Sequence, residues 1–210
     1  MDKKKAQQIF NGLKEEYPHA GCPLIHRTPY ELLVATVLSA QCTDVRVNAV
    51  SSVLFDLAST PSQMIELGED KLRECIAPCG LMNSKARNII SLSADLVEKH
   101  SSQVPKTFEE LVALDGVGRK TANVVLYNAF GTDTFAVDTH VFRLCNRLGL
   151  AQAKNPMQTE TAVTTLMEPG QLGLFHHLLI LHGRAICKAR KPDCRACVVS
   201  GLCEYPLAGQ

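Results

Sequence analysis

Helix-start signals recur along this 210-residue chain, and almost nothing in it alternates as a strand does. In each signal a capping residue is followed three positions later by Glu or Gln, the pair that satisfies amides left over in a helix's first turn. Thr28-Pro29-Tyr30-Glu31, Thr60-Pro61-Ser62-Gln63, Thr107-Phe108-Glu109-Glu110 and Asn155-Pro156-Met157-Gln158 all follow the pattern. The chain therefore reads as all-α. Behind the first signal, Leu32, Leu33, Val34, Ala35, Val37 and Leu38 are apolar on nearly every side, which predicts a helix buried at the centre. No unit of about 20–50 residues repeats, which argues against a helical solenoid.

The length suits one domain or two small ones sharing a core, and 46% hydrophobic against 20% charged residues suits a globular fold. The N-terminus, Met1-Asp2-Lys3-Lys4-Lys5-Ala6-Gln7, lacks the apolar stretch of a signal peptide. Leu32 to Ala40, the longest nearly apolar run, is about half of the roughly 20 residues that a bilayer requires. Neither export nor a membrane anchor is expected. Nine cysteines, an odd number without a leader, argue for a reducing, cytoplasmic compartment in which thiols serve as ligands or small core residues.

A formal charge of +1 gives no bulk signal for nucleic acid, but the charge is segregated. Residues 56–75 and 95–115 each sum to −3, residues 116–150 to +2, and residues 184–203 to +4. One basic end follows from this distribution, and ordinary solvated helix faces fit the same counts.

Between two apolar segments lies Asp115-Gly116-Val117-Gly118, a two-glycine turn after Leu111-Val112-Ala113-Leu114 and before a helix from Arg119 to Phe130. The layout is a helix-hairpin-helix over about residues 108–130. Two glycines allow positive φ and close approach of a partner, and the second helix's exposed amides can cradle a phosphate. Arg119 and Lys120 occupy that helix's first turn, where the macrodipole disfavours cations. The same field favours a neutral Lys120 amine, a nucleophile; a simple phosphate-contacting lysine is the alternative. Eighteen residues on, Ala136-Val137-Asp138-Thr139-His140-Val141-Phe142-Arg143 is an extended approach into an amphipathic helix with Asp138 at its cap. Cys187, Cys194, Cys197 and Cys203 form C-x6-C-x2-C-x5-C, a ligand set that fits zinc or an iron–sulfur cluster. Lys188, Arg190, Lys191 and Arg195 lie among them.

Leu114-Asp115-Gly116-Val117-Gly118-Arg119-Lys120-Thr121-Ala122 followed by Val137-Asp138-Thr139-His140 resembles the hairpin and catalytic segment of the endonuclease III family. The likeness continues through Leu38-Ser39-Ala40-Gln41, Gly80-Leu81-Met82-Asn83-Ser84-Lys85-Ala86 and His182-Gly183-Arg184 to the four cysteines. It implies a base excision repair enzyme that is monomeric and works on double-stranded DNA carrying oxidised pyrimidines or abasic sites. The implied organisation is a six-helix domain over 22–132, with residues 1–21 and 133–210 forming a domain that holds a 4Fe-4S cluster, and DNA in the cleft between them. Lys120 then attacks C1′ to give a Schiff base and β-elimination, and Asp138 assists and stabilises positive charge. Gln41 and Leu81 fill the stack vacated by the flipped base. Gly116, Val117, Gly118 and Arg119 meet phosphate, as do Lys188, Arg190 and Lys191 on the cluster loop.

Two other readings share features with this one. An adenine-mismatch glycosylase has the hairpin, aspartate and cluster but no nucleophilic lysine, and a non-enzymatic DNA-binding module would use the hairpin for phosphate and zinc for folding. Cys22, Cys42, Cys75, Cys79 and Cys145 read as buried hydrophobes, with Cys75 and Cys79 one helical turn apart as a possible thiol pair. Ser39, Asp44 and His140 have no assigned role.

Overall fold

Each of the four start signals is realised. In a computed structural model that describes residues 2–205, Thr28 accepts the Glu31 amide, Thr60 that of Gln63, Thr107 that of Glu110 and Asn155 that of Gln158. Three partners reach back, as the Arg27 amide donates to Glu31 Oε2, the Ser59 amide to Gln63 Oε1 and the Lys154 amide to Gln158 Oε1. Asp2 and Thr43 cap two further helices. Among the described residues there is no strand, and no helix is long and apolar enough to cross a membrane.

Backbone packing divides the chain into two compact units, Cys22–Thr132 and the combination of the chain up to Gly21 with the chain from Asp133 onward. The continuous unit holds α2 (Pro29–Leu38), α3 (Asp44–Leu57), α4 (Pro61–Leu67), α5 (Glu69–Ile76), α6 (Met82–His100), α7 (Phe108–Val112) and α8 (Arg119–Phe130). That makes seven helices where six were expected. Gly68, at φ 79, ends α4 and begins α5, a backbone conformation that splits what would otherwise be one helix.

α2 is buried from Tyr30 through Leu38, as its apolar sequence requires, and packs on α8, α3 and α6. Each buried Leu contributes about 1.5–3 kcal/mol through apolar area removed from water. Its polar members are all answered: Glu31 takes the Arg27 amide and guanidinium, and Tyr30 shares a 2.7 Å hydrogen bond with Ser93. Among the described residues no buried side-chain nitrogen or oxygen lacks a partner.

The discontinuous unit holds α1 (Lys3–Glu16), α9 (Thr139–Leu148), α10 (Pro156–Leu166) and α11 (Leu172–Ala185). α1 buries Ala6, Ile9, Phe10 and Leu13, a one-sided helical stripe, with Phe10 edge-on to Phe175 of α11 at 5.7 Å. α9 buries Val141, Leu144, Cys145 and Leu148 at the same spacing. Its Arg143 and Arg147 lie off that stripe.

Candidate active site

The hairpin is held from inside its own unit. Leu111, Leu114 and Val117 are buried, and the Val117 amide donates to the Leu114 carbonyl at 3.1 Å. Val117, expected against DNA, is thus turned inward by side chain and amide alike. α7 ends at Val112, two residues earlier than its apolar run suggests, because the chain there enters the turn. Ser91 donates to Asp115 at 2.7 Å.

The two glycines do different work. Gly116 has φ 77, and a Cβ there would meet Asn88 at 2.8 Å, so its smallness is a requirement of folding. Gly118 has an ordinary φ of −91, which removes the expectation of positive φ at this position. A Cβ on it would find nothing within 4 Å, so no neighbour in the protein demands glycine there. Gly118 caps α8 without a side chain, and the first intrahelical bond runs from the Ala122 amide to the Gly118 carbonyl at 3.0 Å. The amides of the first turn are therefore left over at a positive helix end whose own first turn holds no acidic residue. Arg119 lies over the Phe108 ring at 4.7 Å, and Lys120 is half-buried. The Cys22 thiol feels both Lys120 and Asp44, so these three groups share one neighbourhood.

Gln41 and Leu81 lie in the same unit. Both are exposed and both have left-handed backbone, φ 53 and 51, which costs a non-glycine residue about 1–3 kcal/mol. Leu81 heads α6 with its side chain 53% exposed.

Asp138 belongs to the other unit. The buried stretch Phe135, Ala136 and Val137 delivers it to the start of α9, where Oδ1 accepts the Val141 amide at 2.8 Å. The cap engages one carboxylate oxygen. Arg143 of α9 donates to the carbonyls of Gly183, at 3.0 Å, and Cys187, at 2.9 Å. Arg147 donates to Cys187 Sγ at 3.4 Å and to the carbonyls of Lys188 and Ala189, while its own carbonyl accepts from Cys203 Sγ at 3.3 Å.

Cys187, Cys194, Cys197 and Cys203 line one cavity, walled by Leu144, Leu148, Ile186 and His182. Among the described residues no three His, Cys, Asp or Glu side chains converge as on a single metal ion. Burial pushes the Cys197 and Cys203 thiols up, and the neighbouring thiols push them further. His182 is 1% exposed, and burial pulls it down to about 4, so it is neutral at pH 7. Tyr17 hydroxyl lies 3.1 Å from Nδ1 and Cys197 Sγ 3.3 Å from Nε2. With Cys197 as a thiolate, the tautomer that satisfies both has Tyr17 donating to Nδ1 and Nε2–H facing sulfur. Lys188, Arg190, Lys191 and Arg195 are exposed on this loop, and Lys191 has φ 52.

Residues 34–169 match the model of the HhH-GPD superfamily base excision DNA repair proteins. Endonuclease III of Haemophilus influenzae is 48% identical over 98% of this chain and 97% of the relative, and that of Escherichia coli K12 matches with the same figures. This chain belongs to the endonuclease III family. It is a base excision repair enzyme, a DNA glycosylase with AP lyase activity. A trapped covalent endonuclease III–DNA intermediate superimposes with a TM-score of 0.93 at 40% identity, covering 97% of this chain and 96% of that one. A thermostable thymine-DNA glycosylase, 23% identical with a TM-score of 0.88, shares the fold.

The endonuclease III site has supports that the sequence does not advertise. Arg143 and Arg147 register there only as positive charge, yet both spend their donors on carbonyls about forty residues away. Asn88, which fits against Gly116, lies in the middle of α6 without any motif around it.

Proposed function

We propose that this endonuclease III family member removes oxidised pyrimidines from duplex DNA through Lys120 and cleaves the strand at the resulting abasic site. The carrying observation is the hairpin: a half-buried Lys120 in the first turn of α8, beside an exposed Gly118 with open space where a Cβ would stand. Phosphate meets that open backbone and the amides left over in the first turn, which fixes the nucleotide relative to the lysine.

The neutral Lys120 nitrogen bonds to C1′ as the bond from C1′ to the base breaks, and the base leaves with that electron pair. The nitrogen gives up one of its two protons, O4′ takes up a proton as the C1′–O4′ bond breaks, and the nitrogen lone pair closes a C1′=N bond, giving a Schiff base that keeps one N–H proton. Removal of a C2′ proton then expels the 3′ phosphate, which breaks the strand. Asp138 stabilises the positive charge that develops on the sugar, using the carboxylate oxygen that the helix cap leaves over. Gln41 and Leu81 occupy the stack while the nucleotide is flipped, and their strained, exposed backbones suit residues set for contact rather than packing. Arg119, Lys188, Arg190 and Lys191 contact phosphate, and the enzyme works as a monomer in a prokaryotic cytoplasm.

Four soft thiols around one cavity, with N–H groups of Arg147 and His182 aimed at two of the sulfurs, fit a 4Fe-4S cluster held by Cys187, Cys194, Cys197 and Cys203. Such a cluster, when bound, supplies a rigid cross-link for the basic loop. Zinc with four thiolates fits the same donor set less well, because the thiols surround a volume.

Incubation with duplexes carrying single oxidised pyrimidines tests the reading. Release of the free base with strand scission is expected, and binding without release contradicts it.

A further inference from the structure

Gln41 and Leu81 stand on loops that are far apart in the chain, and one buried side chain ties both. Lys85, near the start of α6, is 3% exposed and donates from Nζ to the Leu38 carbonyl at 2.8 Å and to the Cys79 carbonyl at 3.0 Å. Leu38 ends α2 three residues before Gln41, and Cys79 lies two residues before Leu81. The amide of Lys85 also donates to the Leu81 carbonyl at 3.0 Å, joined there by Ser84 Oγ. One residue thus grips the chain at Leu38, at Cys79 and at Leu81.

The end of α2 requires that nitrogen. The Ala35 carbonyl accepts from the Ser39 amide, that of Thr36 from the Ser39 hydroxyl at 2.7 Å, that of Val37 from the Ala40 amide at 3.4 Å, and that of Leu38 from the ammonium. A cation also suits the negative end of a helix. Among the described residues, however, no carboxylate pairs with Lys85, and burial holds its ammonium below the ordinary lysine value. A buried charge without a counter-charge costs stability that an apolar side chain of the same length does not. What the ammonium supplies is a junction, because carbonyls from two segments must both face one nitrogen.

Those segments carry the strain. Gln41 lies inside a turn closed by the Cys42 amide on the Ser39 carbonyl at 3.1 Å, directly after Leu38. Leu81 follows a turn closed by the Gly80 amide on the Ala77 carbonyl at 3.2 Å, which contains Cys79. Both residues are exposed with left-handed backbone, so the chain on either side of them, rather than burial of their side chains, sets where they stand.

We propose that Lys85 is a positioning residue that locks the Gln41 and Leu81 loops together, so that the two side chains enter the DNA stack as one unit. Buried as it is, Lys85 acts through those two residues. The effect on excision rests on the reading of Gln41 and Leu81 as the ones that fill the stack; the tie between their loops does not.

The test reads two reactions of the cluster-loaded protein: excision of a paired oxidised pyrimidine, which needs the nucleotide flipped, and strand cleavage at an abasic site in single-stranded DNA, which does not. Gln41→Ala and Leu81→Ala, at exposed positions, should each lower excision at least tenfold. The double variant should lose less than threefold beyond the worse single one, because neither residue enters without the other. Lys85→Met, similar in length but without a donor, should lower excision at least tenfold and change single-strand cleavage less than twofold. Hydrogen exchange should quicken in that variant at the Cys42 and Gly80 amides. Added to the double variant, Lys85→Met should cost less than a further twofold.

Losses from Gln41→Ala and Leu81→Ala that multiply overturn joint entry, and they do so even where Lys85→Met does not fold. Equal loss of both reactions in Lys85→Met, undiminished excision, or unchanged exchange at both turns overturns the positioning role. Full excision by Gln41→Ala and Leu81→Ala instead contradicts the stack-filling reading, and hydrogen exchange in Lys85→Met still decides the tie.

Discussion

A Cβ on Gly116 falls 2.8 Å from Asn88 Nδ2, whereas one on Gly118 meets nothing within 4 Å. The two glycines of one turn thus answer to different demands. Gly116→Ala combines that overlap with a φ of 77 and should destabilise the protein by about 2–3 kcal/mol. Gly118→Ala should change stability by no more than about 1 kcal/mol, the difference between these residues at a helix cap, yet weaken DNA binding at least tenfold. Urea unfolding and a DNA titration on both variants separate the two roles. Equal stability losses with unchanged DNA affinity for Gly118→Ala would contradict the phosphate contact.

Asp138 caps α9 through Oδ1, and its other oxygen is the one proposed to act on the sugar. Asn caps a helix about as well as Asp, so Asp138→Asn should melt within a few degrees of the wild type. Its excision rate should fall by a factor of about a hundred or more, corresponding to nearly 3 kcal/mol of lost transition-state stabilisation. Asp138→Ala adds a capping loss of about 1 kcal/mol. Thermal melts beside single-turnover excision check this, and normal turnover by the Asn variant leaves the carboxylate a cap alone.

What could be read along the chain was local. Thr28, Thr60, Thr107 and Asn155 announce helices because cap and partner lie three residues apart, and each caps as that spacing requires. Thr43 and Asp2 cap as well but are followed at the third position by Arg46 and Lys5, so half of the signature is missing. The backbone of Leu81 was illegible for another reason: positive φ in a leucine is imposed by flanking packing and carries no residue preference. Cys79 is the buried small residue that the sequence suggests, and it is not paired with Cys75 by helix register, because α5 stops at Ile76 and Cys79 lies in the turn beyond it. The α4–α5 break at Gly68 was visible as a glycine, but its depth depended on a φ of 79.

Arg147 joins α9 to the cysteine loop through one sulfur, two carbonyls and its own backbone oxygen. Arg147→Ala should leave the rest of α9 packed, since its buried stripe is elsewhere. Visible absorbance of the isolated protein should drop several-fold or bleach several-fold faster in air. Arg147→Lys should restore little, because a lysine cannot reach the sulfur and both carbonyls in the fork that guanidinium offers. Absorbance equal to the wild type in both variants contradicts the bracing role.

Lys191 carries charge on a strained backbone, φ 52. Lys191→Gly should relieve that strain and raise stability by about 1 kcal/mol, while weakening DNA binding. The slope of log affinity against log salt should shrink by about 0.9 for the lost phosphate contact. An unchanged slope contradicts the contact, whatever happens to stability.

Borohydride reduction during reaction with abasic-site DNA tests the nucleophile most directly. Wild-type protein should be trapped as a covalent DNA adduct whose modified peptide contains Lys120, and Lys120→Gln should bind the same DNA without forming it. An adduct of undiminished yield from Lys120→Gln contradicts the assignment of Lys120 as the attacking amine.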